Sequence, residues 1–235
     1  MERKMKLLDP KRYITTHLHD RDTYATMVHE FYNLDTYGWW YQVKPGDIVM
    51  DIGSCIGMFT CKALEQGAKH VYSVEPNIKL LHTTMVNAMP AISRSAEQRV
   101  TPINAFIGHS DHGFGVKGDQ APHKSFKEII EEYEIDYLDF LKVDCEGGEY
   151  DIFMKENYDF LFNKVHHIAM EVHLDVYPEA PERFIKMRDK FIRKWPGHIR
   201  FLKLEHRKKT WDDNYIRGDW PIGWGSSWMI YLTRI

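Results

Sequence analysis

Asp51-Ile-Gly53-Ser54-Cys55-Ile-Gly57 sets an acid and two glycines four residues apart behind a short apolar run. Glycines let a ligand lie against the backbone, because no Cβ blocks its approach. The dinucleotide fingerprint G-x-G-x-x-G needs a glycine where Cys55 stands, and no G-x-x-x-x-G-K-[ST] occurs, so neither pyrophosphate-cradling loop is present. An acid ahead of the first glycine repels a phosphate and suits a cation. S-adenosylmethionine, which carries an ammonium and a sulfonium and no phosphate, fits that requirement. A plain strand-to-helix turn with Asp51 as a cap fits the same residues. Glu75, in Val-Glu-Pro76-Asn77, follows Gly53 by 22 residues. A carboxylate about 20 residues past such a loop is placed to accept both hydroxyls of a ribose, or to sit as an acid near a helix N-terminus.

The densest run is Leu138–Glu149, LDFLKVDCEGGE. Period-2 alternation puts Lys142 and Asp144 on one strand face. Asp144, Glu146 and Glu149 then surround the Gly147-Gly148 turn that opens a helix. Acids in a first helical turn are favourable by about 0.3–1 kcal/mol each, which accounts for Glu146 and Glu149 but not for Asp144 or the paired glycines. Glu171 and His173 alternate onto one face at the end of a later strand. If a hydroxyl loses its proton here, Asp144, Glu146, Glu171 and His173 are the candidate bases, and imidazole has the most suitable unperturbed pKa. The same four form a hard oxygen and nitrogen set that would suit Mg²⁺ or a similar divalent metal; hydrated acids with no ion are the simpler expectation.

These residues need a scaffold, and the pattern supplies one. Strands are expected at Ile48–Ile52, His70–Val74, Val100–Ile107, Leu138–Val143 and Val165–Val172. Helices are expected at Asp20–Tyr32, Gly57–Gln66, Ile78–Met89 (stopped by Pro90), Ser125–Tyr133, Tyr150–Leu161 and Pro181–Lys194. Strand and helix alternate five times, which predicts an α/β fold with a mostly parallel sheet. Ile199–Glu205 and Trp228–Ile235 then close it as a hairpin with one antiparallel strand, around an aromatic loop at Trp211–Ser227. Gly108–His123 reads as a loop. Ligands in such sheets sit beyond the carboxyl ends of strands, where every polar residue above falls; the third strand end at Asn104 and Ala105 belongs with them. Residues 1–43 read as a helical arm or lid, and 44–235 as one catalytic domain.

The chain has 235 residues, 43% hydrophobic and 28% charged, with net charge −3. It is long enough to bury a core without disulfides. The charge is no footprint for nucleic acid, and the run His206–Lys209 is short enough to be a solvated turn. Cys55, Cys61 and Cys145 show no metal or redox spacing and fit a reducing compartment. The start MERKMKLLDPKRY has no apolar core for a secretory signal, and no 18-residue apolar run exists, so a cytoplasmic protein without a membrane partner is expected.

KVDCEGGEYDIF (142–153) resembles the K-[IV]-D-x-E-G-x-E signature of the FkbM-type methyltransferase family. VMDIGSCIGMFT (49–60) and VEPN (74–77) resemble that family's first two motifs, and HHIAMEVH (166–173) resembles its later E-x-H element. Ser54-Cys55 departs from the family's usual Ala-Asn, and Asp212–Ser227 matches no part of its pattern. The resemblance implies a Rossmann-like class I methyltransferase fold, with a seven-stranded, mostly parallel sheet and one antiparallel strand near the C-terminus. It implies S-adenosyl-L-methionine as cofactor and often a hydroxyl of a sugar or small metabolite as acceptor. Carried onto matching positions, Asp51, Gly53, Ser54 and Gly57 border the methionine part, Glu75 and Pro76 the ribose, and Asp144 and Glu146 the transferred methyl.

A small-molecule or glycan acceptor is therefore expected. Tyr37, Trp39, Trp40, Trp211, Trp220 and Trp224 offer flat faces for sugar rings, or pack the arm and hairpin. Three rival readings remain. An oxidoreductase lacks its third glycine. A protein or nucleic-acid N-methyltransferase lacks an Asn-Pro-Pro-Tyr-like motif at the fourth strand. A non-catalytic protein on the same fold would tolerate loss of Glu75 or Asp144.

Overall fold

The computed structural model describes residues 13, 15, 21–92, 99–108, 121–205, 208–211 and 227–235. The chain forms two compact units: Met1–Phe106 with Gly115–Pro122, and Ile107–Phe114 with His123–Ile235.

In the first unit, β1 (Ile48–Ile52), β2 (His70–Val74) and β3 (Val100–Ile103) are parallel, with β2 in the middle. Val49, Met50 and Ile52 are buried, as a strand covered on both faces requires. Ahead of β1, Asp47 accepts the Lys44 N–H at 2.8 Å, and Gly46 takes φ +98°, which closes the turn. Helix α1 (Arg21–Val28) runs into a π-helical turn at His29–Asn33. Helix α2 (Met58–Gln66) stops at Gly67, which adopts φ +100° and donates to the Leu64 carbonyl. Helix α3 (Ile78–Ile92) is capped by Asn77, whose side chain accepts the N–H groups of Lys79 and Leu80. It passes Pro90 by two residues. A proline lacks only its own N–H, so the last turn survives with one donor fewer.

The arm before β1 is docked on α2. Lys62 is buried, yet its ammonium donates to the Phe31 carbonyl at 2.9 Å and pairs with Asp35. Tyr37 stacks on Phe31 with ring centroids 5.1 Å apart and meets Phe59 edge-on. That ring is 2% exposed, so it packs the interior rather than offering a face to a sugar. Trp39 and Trp40 stack on each other at 5.7 Å.

The second unit carries the strand order β4-β5-β8-β6-β7, with β4 (Leu138–Val143), β5 (Val165–His173), β6 (Gly197–Glu205), β7 (Lys208–Trp211) and β8 (Ser227–Arg234). β4 and β5 are parallel, and β8 runs antiparallel to both β5 and β6. The seven expected strands are thus all present, and β7, antiparallel to β6, is an addition. Helix α4 (Phe126–Glu132) opens on a capping box: the Ser125 hydroxyl accepts the Glu128 N–H, and the Glu128 carboxylate accepts the Ser125 N–H.

Three expectations change in detail. The strand expected over Val100–Ile107 breaks after Ile103 and resumes at Phe106–Ile107. At the break the Asn104 side-chain amide donates to the carbonyls of Glu75 and Pro76. The helix expected over Tyr150–Leu161 is three pieces: α5 (Glu149–Ile152), a 3₁₀ turn (Lys155–Asn157) and α6 (Tyr158–Lys164). Buried Asn157 donates to the carbonyls of Asp151 and Ile152, which ends α5 early. The last long helix, α7 (Ala180–Lys190), finishes in a 3₁₀ turn at Ile192–Lys194. Most of the loops at Gly108–His123 and Trp211–Ser227, including Trp220 and Trp224, lies outside the described residues.

Gly57 joins α2 to α3. It sits at φ +82°, and a Cβ there would lie 2.6 Å from Thr84 Cγ2 and 3.0 Å from Thr84 Cα. Gly57→Ala is expected to destabilise the protein by roughly 1–3 kcal/mol through overpacking and strain. Urea unfolding measures it, and an unchanged midpoint would show that the two helices can part at little cost.

Candidate functional site

The residues singled out in the sequence lie in two constellations, one in each unit. The first is the turn between β1 and α2. Gly53, Cys55 and Gly57 all take positive φ, at 74°, 51° and 82°. Left-handed geometry is costly for a residue with a Cβ, so Cys55 must be held, and it is. Its N–H donates to the Glu75 carboxylate at 2.9 Å, and its carbonyl accepts the Thr84 hydroxyl at 2.8 Å. Gly53 and Ser54 donate to the Val74 carbonyl, Gly57 donates to the Ser54 carbonyl, and the Asn87 amide donates to the Ile56 carbonyl. Phosphate nests work through backbone N–H groups that point at the ligand. Here four of the five N–H groups from Gly53 to Gly57 bond within the protein, which agrees with a ligand that carries no phosphate.

Glu75 is not the cap of α3, because Asn77 performs that role. Its second carboxylate oxygen accepts the Asn77 N–H at 2.9 Å. The two backbone bonds fix the carboxylate at the end of β2, where it is 7% exposed. A carboxylate offers about four acceptor positions, more than two backbone bonds consume. Asp51 is fully buried and accepts the Thr60 hydroxyl at 2.7 Å, which ties β1 to the first turn of α2. Ser54 is 4% exposed, and its hydroxyl has no hydrogen-bond partner among the described residues. Buried hydroxyls seldom stay unsatisfied, so this one fits a ligand with a polar group to offer. Asn104 closes the same end by its bonds to Glu75 and Pro76, and Ala105 is buried.

The second constellation forms where β4 and β5 end. Asp144, Glu146, Glu171 and His173 come together: His173 Nε2 lies 3.5 Å from Glu146, 3.7 Å from Glu171 and 3.9 Å from Asp144. Buried Lys142 stands 3.7 Å from Asp144. The organising residue is one that sequence reasoning assigned to the helix dipole. Glu149 is fully buried, and its carboxylate accepts the N–H of Gly147 at 2.8 Å and the N–H of His173 at 2.8 Å, with His173 Nδ1 3.3 Å away. Its position as the last acid of the signature was visible; its burial was not. Tyr150, also unforeseen, donates from its hydroxyl to the His173 carbonyl at 2.6 Å. Glu146 and Gly147 take φ 50° and 102°, which turns the chain sharply between Asp144 and Glu149.

Burial opposes charge on the His173 ring, but the hydrogen bond it donates to Glu149 and the fields of Glu149, Asp144 and Glu146 outweigh it and lift its pKa to about 10. At neutral pH the ring is therefore an imidazolium. Glu146 is pushed above the ordinary glutamate range by the protein crowding its carboxylate and by Asp144 and Glu149, with His173 opposing. Asp144, Glu146 and His173 can each present one ligand atom within 4.8 Å of the others, which is the spacing a metal ion would use. An ion taking His173 Nε2 would first have to displace its proton.

The His173 shift has a pH signature. A group whose folded pKa is raised stabilises the fold fully below its unfolded value, about 6.5, and loses that contribution as pH rises through its folded value. Urea midpoints of the wild type are expected to fall between pH 6.5 and about 10, and His173→Gln should flatten that fall. Parallel slopes for the two proteins would mean the ring is not charged in the folded state.

A family model described as the methyltransferase FkbM domain matches residues 51–196. No curated protein matches the chain. Among solved structures, the methyltransferase FkbM from Methylobacillus flagellatus KT superposes with a TM-score of 0.52 at 16% identity, over 89% of this chain and 52% of that one. This chain thus spans about half of that protein, and the likeness is one of fold. The precorrin-6y C5,15-methyltransferase of Geobacter metallireducens GS-15 superposes at 0.44 with 10% identity, over 96% and 92% of the two chains. With its family model covering more than half of the chain, from the β1 acid Asp51 past the α7 helix, this protein belongs to the FkbM-type methyltransferases.

Proposed function

We propose that the protein transfers a methyl group from S-adenosyl-L-methionine to a hydroxyl of a sugar, a glycan or a small metabolite. The observation that carries this reading is Glu75. It is a carboxylate fixed by two backbone N–H groups at the end of β2, next to a glycine turn whose own N–H groups are bonded internally. That combination suits a nucleoside without phosphates. When bound, the cofactor supplies an activated methyl on a good leaving group. What remains for the protein is alignment, which can supply roughly 7–11 kcal/mol, and removal of one proton.

In this reading Glu75 accepts the ribose hydroxyls, while Gly53, Ser54 and Gly57 let the amino-acid part lie close to the backbone. Of the candidate bases, His173 is already protonated at neutral pH, so it holds the surrounding carboxylates in place rather than taking the proton. Glu146, whose pKa burial raises, takes the proton of the acceptor hydroxyl on its carboxylate oxygen. Asp144 orients that hydroxyl. Four carboxylates around one imidazolium and one ammonium leave an excess of negative charge, which favours a neutral acceptor over a phosphate backbone.

Titration calorimetry with S-adenosylmethionine and S-adenosylhomocysteine tests the nucleoside half. Both should bind the wild type, and Glu75→Ala should weaken them by about tenfold to a thousandfold, as loss of hydrogen bonds to a charged group implies. Thermal melts of the variant check that it still folds. Wild-type protein that binds neither ligand would overturn the reading.

A further inference from the structure

A concavity lies on the second unit, lined by α5, the 3₁₀ turn at Lys155–Asn157, Tyr158 and one face of α7. Its volume is about 200 Å³. That is below the ~300–1,000 Å³ of pockets for drug-sized ligands, so it suits a small molecule. The lining is chemically one-sided: four side chains are cations and none is a carboxylate. Two of the cations are already neutralised, Arg183 by Asp151 and Lys186 by Glu182. The other two, Lys155 and Lys190, make no ion pair or hydrogen bond among the described residues. Beneath them the floor is apolar and rigid. Phe153 is 2% exposed and packs on Phe191 with centroids 4.9 Å apart, and Tyr158 packs on the same ring at 5.4 Å. Met154, 45% exposed, and buried Met187 complete it.

Two ammonium groups and aromatic side chains lining one cavity can recognise two things at once. Lysine acts as a point charge for phosphate oxygens, and two of them match a dianion better than a carboxylate. The accessible apolar lining, Tyr158 and Met154, rewards burial of a ring or short chain at about 25 cal/mol per Å². We propose that this cavity binds a soluble phosphate monoester carrying a small apolar group. The acidic cluster around His173 has the opposite charge preference, so the two sites would sort ligands of different sign. This site does not depend on the transferase reading.

Phenyl phosphate is the probe, titrated into the full-length protein by calorimetry, with phenol and inorganic phosphate as separate titrants. Saturable binding of phenyl phosphate, tighter than either fragment, is expected, with a loss of about tenfold or more in Lys155→Ala/Lys190→Ala. The thermal melt of that variant serves as the folding control and should match the wild type. Inorganic phosphate binding as well as phenyl phosphate would overturn the proposal, because the floor would then contribute nothing. An unaffected double variant, or no binding at all, would overturn it too. Cosedimentation with phosphatidylglycerol vesicles in the absence of phenyl phosphate binding would replace it with a lipid surface.

Discussion

The buried Glu149 carboxylate is the interaction on which the second constellation depends. A carboxylate with no exposure is costly unless it is paired and hydrogen-bonded. Glu149 meets that condition with one N–H from the glycine turn, one from the end of β5, and the His173 ring beside it. The partners come from two parts of the chain, the turn at Gly147 and His173 at the end of β5, so satisfying the charge fixes their mutual geometry. The turn after β4 and the end of β5 are held at one register by a single side chain. Asp144, Glu146 and Glu171 gather about the other edge of the ring as a result.

The first constellation is built on the same logic with the polarity reversed. There an unusual backbone is imposed first, with positive φ at Gly53, Cys55 and Gly57, and side chains are recruited to hold it. Glu75, Thr84 and Asn87 each bond a backbone group of the turn. A conformation that a cysteine adopts only under constraint is thus over-determined from β2 and α3. Both sites rest on a carboxylate that grips backbone N–H groups, and both carboxylates are nearly closed to solvent.

Most of the scaffold was legible because it depends on local pattern. Apolar runs such as Ile48–Ile52 and the alternation around Leu138–Val143 announce buried strands, and Gly67 announces the end of α2. The clustering of Asp144, Glu146, Glu171 and His173 also followed from strand ends and period-2 alternation. What stayed hidden depends on long-range partners. Asn157 ends α5 by reaching back across the next turn, and nothing in YDIFMKENYDFL marks that bond. Glu149 read as one more acid in a first helical turn, since burial is invisible without the β5 backbone against it. Asn77 and Glu75 stand two residues apart, and which of them caps the helix is decided by the demand of Cys55 on β1's side.

Lys62 carries a consequence for where this protein can be cut. Its ammonium sits inside the first unit, answered among the described residues from the arm, by the Phe31 carbonyl and the Asp35 carboxylate. The arm is in effect a counter-ion for the helix that follows the glycine turn. A shortened chain beginning at the turn before β1 would leave that ammonium without either of these partners. The segment before β1 is therefore a structural part of the first unit.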